Sequence, residues 1–145
     1  MKSYPDSALS AAEIAPKTLD CLVSLLATSV LPTAVRRKSF IVNEIPREFH
    51  IAADENMLAS VLGSLLHTVV THTENSCIRI AAKEYGDIIL VHLKDSSNFN
   101  NYAVANDLQQ VQALAKKMGG CVSITSRREE NTIIAFSFPN IPQAA

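Results

Sequence analysis

The stretch DENMLASVLGSLLHTVVTHT, residues 54–73, decides the fold class because it predicts one long amphipathic helix. Its apolar side chains recur at alternating steps of one and three positions, which is the helical period. They are Met57, Leu58, Val61, Leu62, Leu65, Leu66, Val69 and Val70. Asp54 stands where an N-cap residue accepts hydrogen bonds from the first turn, and Glu55 adds negative charge there. We therefore expect a helix that buries one face in the protein core.

The other face of this helix carries a polar stripe of Ser60, Ser64, His67, Thr68 and Thr71. Residues three or four positions apart are neighbours on a helix surface, so the stripe is continuous. One interpretation is a solvated helix surface. The other is the remains of a pocket that still holds a small ligand or a protein partner, and the pattern alone does not separate the two.

The segments around this helix predict six strands and two more helices. One helix is expected after Pro16, ended by Pro32, and another over residues 108–118, with Gly119 as its C-terminal cap. Strands are expected at 39–45, 49–52, 77–83, 88–94, 122–126 and 132–138, the last two forming a hairpin across 128–131. The run 88–94 is apolar on both faces, which is typical of a central strand covered on both sides.

The resulting order, α-β-β-α-β-β-α-β-β, predicts an α/β (α+β) two-layer sandwich. Its sheet is expected to be mixed and largely antiparallel, with three helices on one face. Residues 1–15 are expected to form a flexible lead-in, residues 16–140 a single domain and residues 141–145 a short tail. A chain of 145 residues is long enough to bury a core without disulfides or metals.

Composition argues against several classes of function. The 13 basic and 14 acidic residues nearly balance, so we expect no nucleic-acid partner, because phosphate binding needs a basic face. Cys21, Cys77 and Cys121 lie in apolar segments without C-x-x-C spacing, which favours small buried side chains over a metal site. No apolar run is expected to approach the ~18 residues of a membrane span. The sequence therefore predicts a cytoplasmic protein without a membrane partner.

Several motifs follow one another in the order of a known family. Asn43-Glu44-Ile45-Pro46 precedes Ala53-Asp54 and the 61–73 part of the long helix, and segments 117–126 and 132–139 follow. This order resembles the ATP-binding domain of sensor histidine kinases, a member of the GHKL class with the Bergerat-type fold. The resemblance covers roughly residues 16–139. It implies the same sandwich fold and a nucleotide pocket along the polar stripe.

The long helix departs from the family's pattern at the positions that bind Mg·ATP. Thr68 stands at the asparagine that binds the Mg²⁺ bridging the nucleotide phosphates. Ser64 stands at a position that is often a glutamate general base in ATP-hydrolysing relatives, and serine alone cannot take that role at neutral pH. Thr71 replaces a lysine that commonly faces phosphate. A metal ligand and a positive charge are therefore missing.

The family's two glycine-rich boxes are also altered. Asp95 stands at the aspartate that reads adenine, but the D-x-G-x-G pattern has lost its glycines, the first of them to Ser97. In the second box, G-x-G-L, Ala105 and Asp107 replace the glycines. Glycine lets backbone amides approach phosphates closely, so both losses weaken phosphate binding. About ten residues separate Asp95 from the second box, too few for the family's ATP lid.

The resemblance and its departures together predict a degenerate domain with no catalytic residue, no metal and no cofactor. We expect it to act in bacterial signalling by contact with a protein partner, such as a response regulator or a kinase. Only about 15 residues precede the domain, so we expect no phosphoacceptor helical hairpin.

Two alternatives stay open at this stage. An active kinase domain, of the histidine kinase or the anti-sigma serine kinase type, would bind Mg·ATP. A phosphotransfer protein built on a decayed kinase would carry phosphate on a histidine. The candidates are His50, His67, His72 and His92, and the sequence favours none of them.

Overall fold

The computed structural model describes residues 18–96, 101–126 and 132–142. Within these ranges the chain forms α1 (Leu19–Arg36), β1 (Phe40–Asn43), α2 (Glu55–Thr71), β2 (Cys77–Tyr85), β3 (Ile88–Asp95), α3 (Asn101–Lys117), β4 (Cys121–Ser126) and β5 (Thr132–Pro139). The strands form one sheet in the order β1-β2-β3-β5-β4. β1 runs parallel to β2 and the other neighbouring pairs are antiparallel, which confirms the mixed, largely antiparallel sheet.

The helices cover one face of the sheet and leave the other open. On β2 the buried Ile78 and Ile80 alternate with the exposed Arg79 and Lys83. The same alternation of burial runs along β3 and β5. α2 contacts both α1 and α3, so it is the middle helix of the layer. The predicted two-layer α+β sandwich is therefore confirmed.

α2 forms where the hydrophobic period predicts it. Its apolar stripe is buried, apart from the half-buried Met57. The Asp54 side chain caps the helix, since its Oδ1 accepts hydrogen bonds from the backbone N–H groups of Asn56 at 2.9 Å and Met57 at 3.2 Å. The predicted N-cap is confirmed.

The strand predicted at residues 49–52 does not form, and that expectation is wrong. His50 makes an isolated bridge with Thr18. The Asn140 side chain takes the hydrogen bonds that a neighbouring strand would otherwise supply. Its Oδ1 accepts from the backbone N–H groups of residues 52 and 53 at 2.8 and 3.2 Å, and its Nδ2 donates to the His50 carbonyl at 2.8 Å. A side chain from the end of the last strand thus replaces sheet pairing.

β3 is the central strand, as predicted, but it is not covered on both sides. Ile89, Val91 and Leu93 face the helices and are buried, whereas Leu90 and His92 lie on the open face and are half-buried. Neighbouring strands on either side shield these two residues in part. The prediction that β3 is covered on both faces is therefore wrong, although its run of apolar residues is long.

The cysteines are not buried as predicted. Cys21 and Cys121 are exposed and Cys77 is half-buried. Cys77 and Cys121 precede the buried Ile78 and Val122, so the alternation of a strand turns their side chains to the open face. Cys21 lies on the outer side of α1. Their apolar neighbours were therefore a poor guide to the side on which each thiol lies.

α1 is long and apolar enough, by length and composition, to cross a membrane. The expectation that no run approaches that length is therefore wrong. The helix packs against α2 and β1 through a buried side formed by Leu19, Leu22, Val23, Val30 and Ala34. Core helices of globular proteins pass the same test of length and composition, so the test alone assigns no membrane.

α3 ends in the glycine cap that the sequence predicts. Gly119 has a φ of 78°, and its N–H donates to the Lys116 carbonyl at 3.0 Å. The N–H of Gly120 donates to the Ala115 carbonyl at 2.8 Å. This pair of bonds is the Schellman motif, which satisfies the last carbonyls of the helix.

α1 ends in the same motif without a glycine. Lys38 has a φ of 56°, its N–H donates to the Val35 carbonyl at 3.0 Å, and the Ser39 N–H donates to the Ala34 carbonyl at 2.9 Å. We expect Lys38→Gly to raise the free energy of unfolding by about 0.5–1 kcal/mol, because glycine adopts positive φ without strain. Urea denaturation measures the change. Lys83→Gly, in the exposed part of β2, is the control and should destabilise; a loss of stability in Lys38→Gly would contradict the expectation.

Candidate functional site

A cleft of about 590 Å³ opens between α2 and α3. It lies along the polar stripe of α2, where the resemblance to GHKL domains implies a nucleotide pocket. The lining residues are Gly63, Ser64, His67 and Thr68 from α2, and Asn106, Asp107, Gln109, Gln110, Val111 and Leu114 from α3. The lining is mostly polar, so the cleft suits a hydrated ligand or a polar protein surface better than an apolar molecule.

Three of the predicted site residues meet in this α2–α3 cleft: Ser64, Thr68 and Asp107. Thr71 is exposed near the end of α2 and does not belong to the lining. The positions that replace the metal-binding asparagine and a box glycine are therefore brought together. The position that replaces the lysine is not.

The other predicted residues lie elsewhere. Ala105 lines a separate groove between α3 and β4. Asp95 ends β3 and is not among the residues that line the α2–α3 cleft. Ser97 lies outside the described residues. The predicted set therefore does not form one site in the described part of the chain.

The polar stripe of α2 is not one continuous solvated face. Thr68 is only 6% exposed, whereas Ser60, His67 and Thr71 are exposed and Ser64 is half-buried. The difference arises because α3 packs against α2 and covers one side of the stripe. Thr68 thus lies at the floor of the cleft.

A hydrogen-bond contact between side chains joins the two helices beside the cleft. His72 Nε2 lies 2.7 Å from Asp107 Oδ2, and the Asp107 side chain remains half exposed. His72 is the C-cap residue of α2, so the contact connects the end of that helix to the second turn of α3. The Asp107 carboxylate is part of the cleft wall, where it would repel a phosphate group.

Asp95 takes part in a buried hydrogen-bond network. Its side chain is 1% exposed, and the Ser76 hydroxyl donates to its Oδ1. Ser76 Oγ also lies 2.9 Å from Ser96 Oγ, and the Ser76 N–H donates to Ser39 Oγ at 3.2 Å. The carboxylate therefore holds the start of β2 against the end of β3.

The segment that aligns with the G-x-G-L box is already helical. The resemblance places this box ahead of the last helix, but α3 begins at Asn101, so that placement is wrong. In a helix each N–H donates to the carbonyl four residues earlier, so the amides of residues 105–108 have partners inside α3. A phosphate cradle needs amides without such partners, as at a helix start or a glycine-rich turn.

The charge of the described part of the cleft lining does not favour phosphate. None of the described lining residues is a lysine or an arginine, and the ionisable ones are Asp107 and His67. Phosphate sites in proteins rely on such cations or on free amides. In the described ranges, moreover, no three His, Cys, Asp or Glu side chains come together as metal ligands.

Comparison with solved structures places this fold. The chain superposes on full-length ShkA in complex with AMPPNP (TM-score 0.73, 20% identity, 90% of this chain) and on a histidine kinase from Burkholderia phymatum STM815 (0.73, 13%, 86%). It also superposes on the catalytic domain of histidine kinase ThkA (0.70, 15%, 87%). The chain has the fold of a histidine kinase catalytic domain. No family model and no curated protein matches it.

This chain covers different shares of the proteins with which it superposes. The chain spans 96% of the isolated ThkA catalytic domain, 69% of the Burkholderia chain and 32% of full-length ShkA. ThkA is also known in complex with the response regulator protein TrrA, and this chain covers 42% of that ThkA chain (TM-score 0.69, 15% identity, 88% of this chain). At these identities the likeness establishes the fold and leaves the activity to be argued from the site.

Several residues of the cleft were not predicted as site residues. Asn106 and Gln110 line it, and so does His67, which the sequence named only as one of four candidate phosphate carriers. Asn106 and Gln110 lie four positions apart on α3, which is the spacing of neighbours on one side of a helix. The contact of His72 with Asp107 has no such signal, because it joins residues 35 positions apart.

Proposed function

We propose that this chain is a histidine-kinase-like domain without ATP turnover, which acts as a protein-interaction module in bacterial two-component signalling. Its place of action in this proposal is the cytoplasm. The docking surface is the α2–α3 cleft.

One observation carries the proposal: the amides of residues 105–108 lie inside α3. A nucleotide triphosphate would find no free amides there, no lysine or arginine in the described lining, and the Asp107 carboxylate in the wall. Each loss weakens phosphate binding separately. Together they favour a site that no longer holds Mg·ATP.

The cleft retains features that suit a protein partner. It is open, its lining is rich in amide and hydroxyl groups, and it lies between α2, whose start is capped by Asp54, and α3, whose end is capped by Gly119. Such groups form hydrogen bonds with a partner surface without the desolvation penalty of buried charges. ThkA, which shares the fold, has been observed in complex with a response regulator protein. A response regulator is therefore the partner class that we propose.

The test is a titration of the full chain with a panel of response-regulator receiver domains, followed by fluorescence anisotropy. Gln110→Arg places a bulky cation in the cleft and should weaken binding at least tenfold. Ala113→Arg is the matched control, because Ala113 is exposed on the same helix but does not line the cleft. Equal binding by both variants would contradict docking at the cleft.

Radiolabel transfer separates the proposal from its alternatives. With γ-labelled ATP and Mg²⁺, we expect no label on the chain or on a receiver domain. Label from ATP would establish an active kinase instead. Label that moves from a phosphorylated receiver domain to a histidine of the chain would establish phosphotransfer, and either result would overturn the proposal.

A further inference from the structure

The outer side of α1 exposes large apolar side chains along its whole length. Leu25 is 60% exposed, Leu31 49% and Val35 64%. No Asp, Glu, Lys, Arg or His occurs between Asp20 and Arg36. Only 28% of the helix is buried in the fold, although its composition is that of a core helix. Large apolar exposure of this kind marks an interaction surface.

The exposed residues form a seam with the spacing of a helix pair. Cys21, Leu25, Thr28, Pro32 and Val35 are exposed and follow one another at steps of four, three, four and three. This is the spacing at which one helix packs along another in a coiled-coil geometry. α3, by contrast, exposes Gln109, Lys116 and Lys117, as an ordinary surface helix does. The α1 seam therefore needs a covering element that α3 does not.

We propose that the α1 seam is a homodimer interface, in which α1 of a second copy of this chain packs antiparallel to the first. The absence of charge favours self-association, because a two-fold interface brings two copies of one surface together, and a charge near the two-fold axis would lie close to its own copy. A seam of neutral side chains meets no such repulsion.

The charges at the two ends of α1 determine the relative direction of the helices. Asp20 lies in the first turn, and Arg36 ends the helix, followed by Arg37 and Lys38. A parallel pair would bring the two basic ends together. An antiparallel pair brings each basic end to the acidic first turn of the partner, and it also opposes the helix dipoles favourably. Asp20 Oδ1 is buried and lacks a hydrogen-bond partner in the described part of the chain, so a nearby cation would stabilise it.

The size of the seam sets the expected strength of the dimer. A helix of 18 residues is about 27 Å long, so two such helices bury less than the about 800 Å² per partner of a standard interface. We therefore expect a reversible dimer whose population depends on concentration. The interface lies on α1, whereas the proposed partner site lies between α2 and α3, so either proposal can fail without the other.

Sedimentation equilibrium of the full chain over a range of concentrations tests the proposal. The wild type should show a monomer–dimer equilibrium, and Leu25→Lys should raise the dissociation constant at least about tenfold, since it places like charges at the interface. Ala113→Lys is the control with the same charge on the outer side of α3 and should leave the constant unchanged. A wild-type chain that stays monomeric at all concentrations would overturn the proposal.

Oxidative cross-linking tests the direction of the helices. In a background with Cys21→Ser, Cys77→Ser and Cys121→Ser, the added substitution Thr28→Cys lies at the centre of the seam and should give a disulfide-linked dimer. A variant that keeps only Cys21 should not, because an antiparallel pair separates the two Cys21 residues by about 21 Å along the helix axis. Cross-linking through Cys21 alone would establish a parallel pair and overturn the antiparallel one.

Vesicle flotation tests whether a lipid membrane, rather than a second copy of the chain, covers the α1 seam. We expect no binding of the wild type to vesicles of phosphatidylcholine and phosphatidylglycerol. The dimer would be overturned if the wild type is monomeric in solution, binds the vesicles, and loses that binding in Leu25→Lys. The α1 seam would then be assigned to a membrane.

Discussion

Gly120→Ala should lower the free energy of unfolding by about 3 kcal/mol, at the upper end of what one added methyl group costs in a packed region. A Cβ at this position would lie 2.6 Å from the Ser137 carbonyl oxygen and 3.0 Å from Phe136 Cε1. The first contact is with backbone, so no side-chain rotation relieves it. β4 would have to move away from β5, which carries the largest buried aromatic residues of the core.

The matched control is Gly86→Ala in the turn between β2 and β3. Gly86 has a φ of 62°, and no atom lies within 4 Å of the position that a Cβ would take, so only the strain of positive φ remains. That strain is about 1 kcal/mol. Urea denaturation of both variants gives the comparison. A Gly120→Ala protein as stable as Gly86→Ala would contradict the close packing of β4 on β5.

Ser76→Ala should also destabilise the fold strongly, by about 3 kcal/mol, because it leaves a buried carboxylate without the hydroxyl that donates to it. Asp95 is 1% exposed and Ser76 4%, so water does not readily replace the lost donor. The free energy of unfolding from urea denaturation at neutral pH measures the effect.

Ser123→Ala, on the exposed side of β4, is the control and should change stability by less than about 0.5 kcal/mol. If Ser76→Ala changes the free energy of unfolding as little as the Ser123→Ala control does, the Asp95 carboxylate is solvated. It would then be available to a ligand, as in an adenine-binding domain. The stability of this one variant thus bears on the function of Asp95 as well as on the fold.

The local part of the fold was predictable because its causes are local. The period of residues 57–70 predicts α2, Asp54 predicts its start, and Gly119 predicts the end of α3. Each of these signals lies within the helix that it predicts or directly at its end. The sheet was predictable in type but not in extent. The segment 49–52 has a strand-like pattern, but its backbone forms hydrogen bonds with the Asn140 side chain instead of a neighbouring strand.

The site was predictable only in part, because its geometry depends on how distant elements pack. The spacing of Ser64 and Thr68 placed both on one face of α2, and the structure brings them into one cleft. The burial of Thr68 and the contact of His72 with Asp107 depend on α3, which lies more than 30 positions further along the chain. The family alignment also misplaced residues 105–108, because a sequence without glycines continues the helix where the family has a loop.

The proposed function depends above all on the claim that this fold no longer holds a nucleotide. Thermal unfolding of the full chain with millimolar Mg·ATP tests that claim most directly, with an active histidine kinase catalytic domain measured beside it. A ligand present at 100 times its dissociation constant stabilises a protein by about 2.7 kcal/mol, which is easily measured as a shift of the melting temperature. We predict a shift for the active domain and none for this chain. A saturable upward shift that requires both ATP and Mg²⁺ would contradict the claim.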